Sequence, residues 1–337
     1  MNLKLLLKRG ALVAAANWQT VAIQFAAQTT FQALLAVPIL GAAILVAVML
    51  GADLANLLQG GLREIFAAIA DTLDAEPVAM LAFVSAFTIV LLGGSVFMFL
   101  VKGGTMDVLV TANEGAGPIE NEAITLDAVR PAAAFSLPLF MFGCARLFKR
   151  FLTLGLVLML VYALSAGLYL AFLVLGYRAA GNRDLVIGWA FVTALSAVLL
   201  VLWITLVNLI YLLTQIAIAM EDLGLTDAAR AVARFVRAEF RDLGGVFLVV
   251  LAIVFAATLV SALAWSGVGL IAFIPLVGLA VFPLQIVALL LRGLLFEYIG
   301  LTALGAYITL YGRSTARSGA STFREARLAS RAQLGNA

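Results

Sequence analysis

Apolar residues run almost unbroken through six stretches of the chain, at about 31–52, 77–101, 151–176, 185–219, 245–265 and 290–311, and polar residues return between them. Each stretch reaches roughly the 20 residues a helix needs to cross about 30 Å of hydrocarbon. The alternating ten-residue strands of a membrane barrel are absent. The pattern predicts an all-α polytopic membrane protein with about six transmembrane helices over 31–311, an interfacial amphipathic segment at 1–30 and a polar tail at 312–337. One region strains this count. From Leu270 to Tyr311 the chain has 42 residues without a polar loop, too long for one span and barely enough for two. Pro275 and Pro283 interrupt its first half, so a re-entrant or interfacial hairpin is expected at 267–289, ahead of the sixth span. Irregular backbone there has to be buried against protein, because lipid leaves free amides unsatisfied.

Between the fourth and fifth stretches the periodicity changes. Arg230, Arg234, Arg237 and Arg241 follow i, i+4, i+7, i+11 spacing, with Ala228, Ala231, Val232, Phe235 and Val236 on the opposite side. This predicts an amphipathic surface helix, N-capped by Thr226 and with Asp227 in its first turn. An arginine costs about 2.5–3.5 kcal/mol at mid-bilayer but gains about 1 kcal/mol near an anionic leaflet, so the stripe belongs at a headgroup surface. It acts there either as an anchor on anionic lipid headgroups or as a docking face for an acidic partner. Glu239 falls on the apolar side and is expected to pair with Lys149 or Arg150 of the other basic connector.

Near the N-terminus Asn17, Thr20, Gln24 and Gln28 repeat at helical spacing, with Gln32 one step further. They suit inter-helix hydrogen bonds, an interfacial helix with Trp18 at headgroup level, or a substrate-lining face. The basic start at Lys4, Lys8 and Arg9 soon meets Asn17, Trp18 and Gln19, too early for the apolar core of a cleaved secretory leader.

Charge gives the spans a direction. Of 21 basic residues, 17 fall on one side of the six spans, in the N-terminus, the 102–150 and 220–244 connectors and the tail. The other side holds Arg63, Arg178 and Arg183. The positive-inside rule then puts both termini in the cytoplasm. Inside the last apolar stretch stand Arg292 and Glu297, which point away from each other on a helix. An intramembrane ionisable group is a functional candidate by default. Here both are expected near the outer end of the sixth span, in a structural, partner-binding or transport role.

Composition excludes much chemistry. Only 12% of residues are charged, against roughly 25% in soluble domains. Histidine is absent and Cys144 is the single cysteine, which excludes His-ligated haem or chlorin, His-containing zinc sites, Cys₄ clusters and intrachain disulfides. No phosphate-binding glycine loop or nucleophile elbow is present, so neither a catalytic site nor a cofactor or metal is expected, and nothing points to nucleic acid. Arginine outnumbers lysine 17 to 4 amid abundant alanine, glycine, valine and leucine, which suggests a GC-rich bacterium and hence its inner membrane.

A short internal similarity links "LDAVRPAAAF" from Leu126 with "TDAARAVARF" from Thr226, and suggests two similar helix-then-span units. The segment "QIAIAMEDLGLTDAARAVARFVRAEFRDLGGVFLVVLAI", with "VKGGTMDVLVTAN" and "ITLYGR", resembles a bacterial six-helix membrane family. That family includes the membrane domain found beside some glycerophosphodiester phosphodiesterases, and stand-alone relatives. The resemblance extends from about Phe31 to Arg313 and implies a six-helix fold with no activity attached. The expectation is a non-catalytic accessory or scaffold subunit packed against other membrane-protein subunits, in a respiratory or photosynthetic type of complex. The alternative is a transporter or lipid-handling protein. The tail, with Arg317, Arg324, Arg327 and Arg331, is expected to dock a partner or to lie on anionic lipid.

Overall fold

The computed structural model describes residues 3–50, 77–123, 125–181, 186–272 and 275–317. Eight helices carry these residues: α1 (Leu3–Ala16), α2 (Trp18–Leu50), α3 (Pro77–Gly115), α4 (Leu137–Gly181), α5 (Val186–Glu221), α6 (Leu225–Ala238), α7 (Phe240–Ala272) and α8 (Pro275–Arg317). Six are long and apolar enough to cross a membrane, and no strand occurs among the described residues. The protein is an all-α, multi-pass membrane protein, as the apolar pattern predicts. Arg324, Arg327 and Arg331, the 53–76 connector and the rest of the tail lie outside the described residues.

The chain divides into two compact units, Ile23–Val101 and Met1–Ala22 with Lys102–Ala337. The first holds most of α2 and the apolar start of α3, where Phe31 presses on Gly94 so closely that a Cβ there would strike its ring. Gln24 is buried, Gln28 half-buried and Gln32 exposed in this unit.

The second unit is packed unevenly along its helices. Where the end of α3, the start of α4 and the ends of α5 and α8 meet α1 and α6, a dense core forms. Val13, Leu109, Leu147, Phe151, Leu213, Ile216, Ile308 and Tyr311 are essentially inaccessible there. Away from this packed end, no residue in the most apolar stretch of α4 or of α5 is buried. The helices are also long: α4 has 45 residues and α8 has 43, about 65 Å each at 1.5 Å per residue, twice a hydrocarbon thickness of about 30 Å.

That length corrects the expectation at 267–289. Among the described residues α7 continues to Ala272 and α8 runs from Pro275 through Pro283 to Arg317, so 267–272 and 275–289 extend the two helices, while 273–274 lie outside the described residues. The excess apolar length is explained by burial. Leu301, Ala303, Leu304, Ala306, Tyr307, Ile308, Leu310 and Tyr311 fill the core of the packed end.

The N-terminal segment also differs from the interfacial helix expected of it. Helix α1 is built into the core, with Leu6, Arg9, Gly10, Leu12, Val13 and Ala14 buried. Gly10 explains how: it lies directly on the backbone of Thr302 and Ala306, where any Cβ would collide, and Gly305 offers the matching notch on α8. Small residues let two helix backbones approach in this way. Among the described large apolar residues of this segment, Trp18 is the one that is strongly exposed.

The suggested internal repeat has no structural counterpart. Leu126–Val129 makes one helical turn, followed by a 3₁₀ turn at Arg130–Ala132, whereas its partner sequence lies in the 14-residue α6. Pro131 lacks the amide hydrogen and disfavours helix in the residue before it, which accounts for the difference.

Candidate anion-binding groove at the packed end

Three polar clusters hold the packed end together, and they decide which charged groups remain for function. The first is centred on Arg9 of α1. Its Nε donates to Asn113 Oδ1 at 2.8 Å, one Nη to the Asn113 carbonyl at 2.7 Å, and the other to Gly117 O and to Glu120 Oε2, the last at 2.6 Å. Thr309 of α8 also donates to Asn113 Oδ1 at 2.9 Å, and Arg313 reaches Glu120 Oε1 at 3.1 Å. Lys8 closes over the same turn by donating to the carbonyls of Glu120 and Glu122. Burial of Glu120 would raise its carboxyl, but its own amide, Arg9 and Arg313 outweigh that and hold it below its ordinary value near 4.5.

The second cluster joins α3, α4 and the turn after α5. Gly143 lies against Asp107, where a Cβ would clash, and this contact brings Arg146 to the fully buried Asp107 carboxylate at 2.8 Å. Arg150 binds Asp222 at 2.6 Å, and Arg146 lies 3.8 Å from the same carboxylate. Asp222 has φ of 57°, a left-handed conformation that aspartate tolerates better than most residues. It turns the chain sharply out of α5. Gly224 therefore takes the N-cap position and α6 begins at Leu225, immediately after the cap, with Thr226 already in the first turn rather than capping it.

The third cluster seats α6. Ala228, Ala231, Val232 and Phe235 are buried, and the Phe235 ring meets the Tyr311 ring edge-on at 5.1 Å. Tyr311 donates its hydroxyl hydrogen to Glu221. Glu239 breaks the helix at its C-terminus and pairs with Arg317 of α8 at 2.8 Å, not with Lys149 or Arg150 as expected. Arg150 is taken instead by Asp222.

With these clusters closed, the arginine stripe stands apart. Arg230, Arg234 and Arg237 line the exposed side of α6, as their spacing predicts. Arg241 is exposed too, but it lies on α7, beyond the break at Glu239, so the line of four is three plus one. Arg230 is held by Asp227 at 3.0 Å, while Arg234, Arg237 and Arg241 make no ion pair with another described residue.

Two adjoining cavities open beside these side chains and share Glu221 and Arg234. One, of about 240 Å³, is walled by Phe235, Tyr311, Ser314 and Thr315. The other, of about 500 Å³, runs along Leu223, Asp227, Arg230 and Arg237. Guanidinium groups present a planar fork of donors that matches a carboxylate or phosphate, so the groove is suited to one acidic group.

The remaining candidates are scattered. Asn17 breaks the N-terminal helix and links it to the 116–136 connection: its amide donates to Val13 O and Ala132 O and accepts from the Ala134 and Phe135 amides. It is a structural joint. Glu297 lies not at the far end of α8 but in electrostatic contact with Lys102 of α3, and Lys102 sits over the Tyr211 ring. Arg292 is half-way along α8, about 25 Å from Pro275 at 1.5 Å per residue, and lies over the Phe296 ring.

Sequence reasoning missed Asp107, Asn113, Glu120, Glu221 and Tyr311. The available signal was an acid and an amide standing inside an apolar run, at Asp107 and Asn113. Among the described residues no group of His, Cys, Asp and Glu is gathered to hold a metal. No family model, curated protein or solved structure matches the chain.

Proposed function

We propose that the protein is a non-catalytic accessory subunit of the bacterial inner membrane, which fastens a larger membrane complex of respiratory or photosynthetic type. Its packed end and both termini face the cytoplasm, and its arginine groove takes an acidic group from a partner subunit or an anionic lipid headgroup. One observation carries this reading. The buried charges of the packed end close on one another, while Arg234 and Arg237 face outward beside a cavity. Arg9, Glu120, Asp107, Arg146 and Arg150 are taken up in holding helices together, which leaves the outward arginines for an acidic group from outside the chain. The basic residues of α1, of the start of α4, of α6 and of the end of α8 gather at the packed end, and the positive-inside rule gives that end its side.

Two measurements test the reading. Cys144 is buried, so cysteines introduced at Lys4 and Arg241 report with little background. Both should resist a membrane-impermeant thiol reagent in intact cells and react after lysis. For the partner, native membranes are extracted in mild detergent and co-migrating proteins are identified. Arg234→Gln with Arg237→Gln should keep the helical core but release a partner, and the paired lysine changes should release less of it. A wild-type protein that migrates alone from its native membrane would sink the accessory reading.

A further inference from the structure

A second cavity lies far from the arginine groove, between α7 and α8. It measures about 520 Å³ and is apolar apart from Ser261 and Arg292. Helix α7 runs away from the packed end and α8 returns, because Glu239, which immediately precedes α7, pairs with Arg317 at the end of α8. The cavity lining on α7 extends from Ile253 to Ala264, about 16 Å of helix, close to half of a hydrocarbon thickness of about 30 Å. That is the depth of one leaflet's acyl chains.

The charge at this groove has no ion-pair counterpart among the described residues. Arg292 makes no ion pair with another described residue; it is exposed and rests over the Phe296 ring at 5.7 Å. Arginine stays protonated in proteins, so it keeps its charge wherever it sits. Its depth follows from Lys102 and Glu297. Lys102 is the first charge after the apolar run at 77–101, and Glu297 of α8 lies within its electrostatic range. Glu297 therefore marks the level at which α3 leaves the hydrocarbon. Arg292 lies five residues further in, about 8 Å, a distance a snorkelling guanidinium covers to reach a headgroup.

We infer that the α7–α8 groove is a binding site for one anionic phospholipid of the packed-end leaflet, with an acyl chain along Ile253–Ala264 and its phosphate on Arg292. Charge complementarity selects the headgroup, and the groove's apolar lining and single-leaflet length select the chain. The inference stands independently of the accessory role, since it uses neither the arginine groove nor a protein partner.

The test uses the full chain, delipidated in detergent and reconstituted with equal amounts of phosphatidylglycerol and phosphatidylcholine, and native mass spectrometry counts the lipids retained. The wild type should retain one phosphatidylglycerol in preference to phosphatidylcholine. Arg292→Gln should reduce that preference about fivefold, the factor for one cation near an anionic leaflet, and Arg292→Lys should largely preserve it. Ala257→Trp fills the groove and leaves Arg292 in place, so it should abolish the retained lipid of either kind. Unaltered phosphatidylglycerol retention in Arg292→Gln or in Ala257→Trp overturns the site. So does a result in which Arg292→Gln spares the lipid but dissolves a dimer or removes a co-migrating subunit, because the groove then receives a protein carboxylate. Should Arg292→Gln fail to fold, the lysine and tryptophan variants decide alone.

Discussion

The pair Arg9–Glu120 is the sharpest place to test how the packed end is held. It bridges 111 residues of sequence, and its side chains are only 10% and 6% exposed, so solvent screening is slight. Removing one partner of such a pair leaves the other charged and buried, which costs about 3–5 kcal/mol. Glu120→Ala should show this loss, since Arg9 keeps Asn113 and Gly117 but loses its counter-charge. The paired change Arg9→Ala with Glu120→Ala should be less harmful than the two single losses combined, by about 2–3 kcal/mol, the upper range for contacting residues. Arg317–Glu239 is the control. It has the same chemistry at 2.8 Å, but Arg317 is 67% exposed, and its coupling should stay below about 1 kcal/mol. Equilibrium unfolding in mixed micelles measures both cycles. Acid adds a second reading. The folded value of Glu120 lies below its ordinary value near 4.5, so its stabilisation is complete above that pH and is lost as pH falls through the depressed value. Glu120→Gln should therefore flatten the loss of stability below about pH 4.5. Equal couplings in the two pairs, or an unchanged acid limb, would refute burial as the source of the strength.

The other predictions concern helix contacts and the tail. Gly10→Ala places a methyl group against backbone atoms of Thr302 and Ala306 that cannot rotate away, and should cost about 1–3 kcal/mol, while Gly300→Ala, which meets nothing, should be neutral or mildly stabilising; thermal unfolding in detergent compares them. Asn17→Ala strands the carbonyl of Ala132 and the amides of Ala134 and Phe135, at about 1–3 kcal/mol for each group left unsatisfied, and should show as faster proteolysis within the 116–136 connection. Truncation after Gly312 should lower the unfolding midpoint relative to truncation after Arg317, because Arg313 and Arg317 belong to Glu120 and Glu239.

Particular residues show how far the fold was legible in the sequence. The six long helices and the amphipathic α6 were written in periodicity alone, because membrane spans and surface helices bury or expose whole faces. The exposed Arg230, Arg234 and Arg237 opposite a buried Ala231 and Phe235 are that pattern realised. The pairings were not legible. By sequence Glu239 could meet Lys149 or Arg150 as readily as Arg317, and which one it met depended on the break that ends α6 and on where α8 stops. Arg150 went to Asp222 because that aspartate adopts a left-handed turn, a conformation that no pattern of apolar positions announces.

The deeper failure concerned α1 and the end of α8, and it has one physical cause. Hydropathy records that a residue avoids water; it does not record whether lipid or protein replaces the water. Residues 301–311 are as apolar as a span, yet they are packed against α1 and the neighbouring helices. Size discriminates where polarity cannot. A lipid-facing stretch is free to carry large side chains on any face, as Leu284, Val287 and Leu291 do while exposed. A stretch that receives another helix needs small residues on one line, and Ala303, Gly305 and Ala306 supply it opposite Gly10. The polar residues among them give the same answer. Thr302, Thr309 and Arg313 would be costly against lipid, but Thr309 and Arg313 bond Asn113 and Glu120. Small residues in line with bonded polar ones therefore mark protein contact within an apolar run, and α1, with Gly10 next to Arg9, carries the same mark.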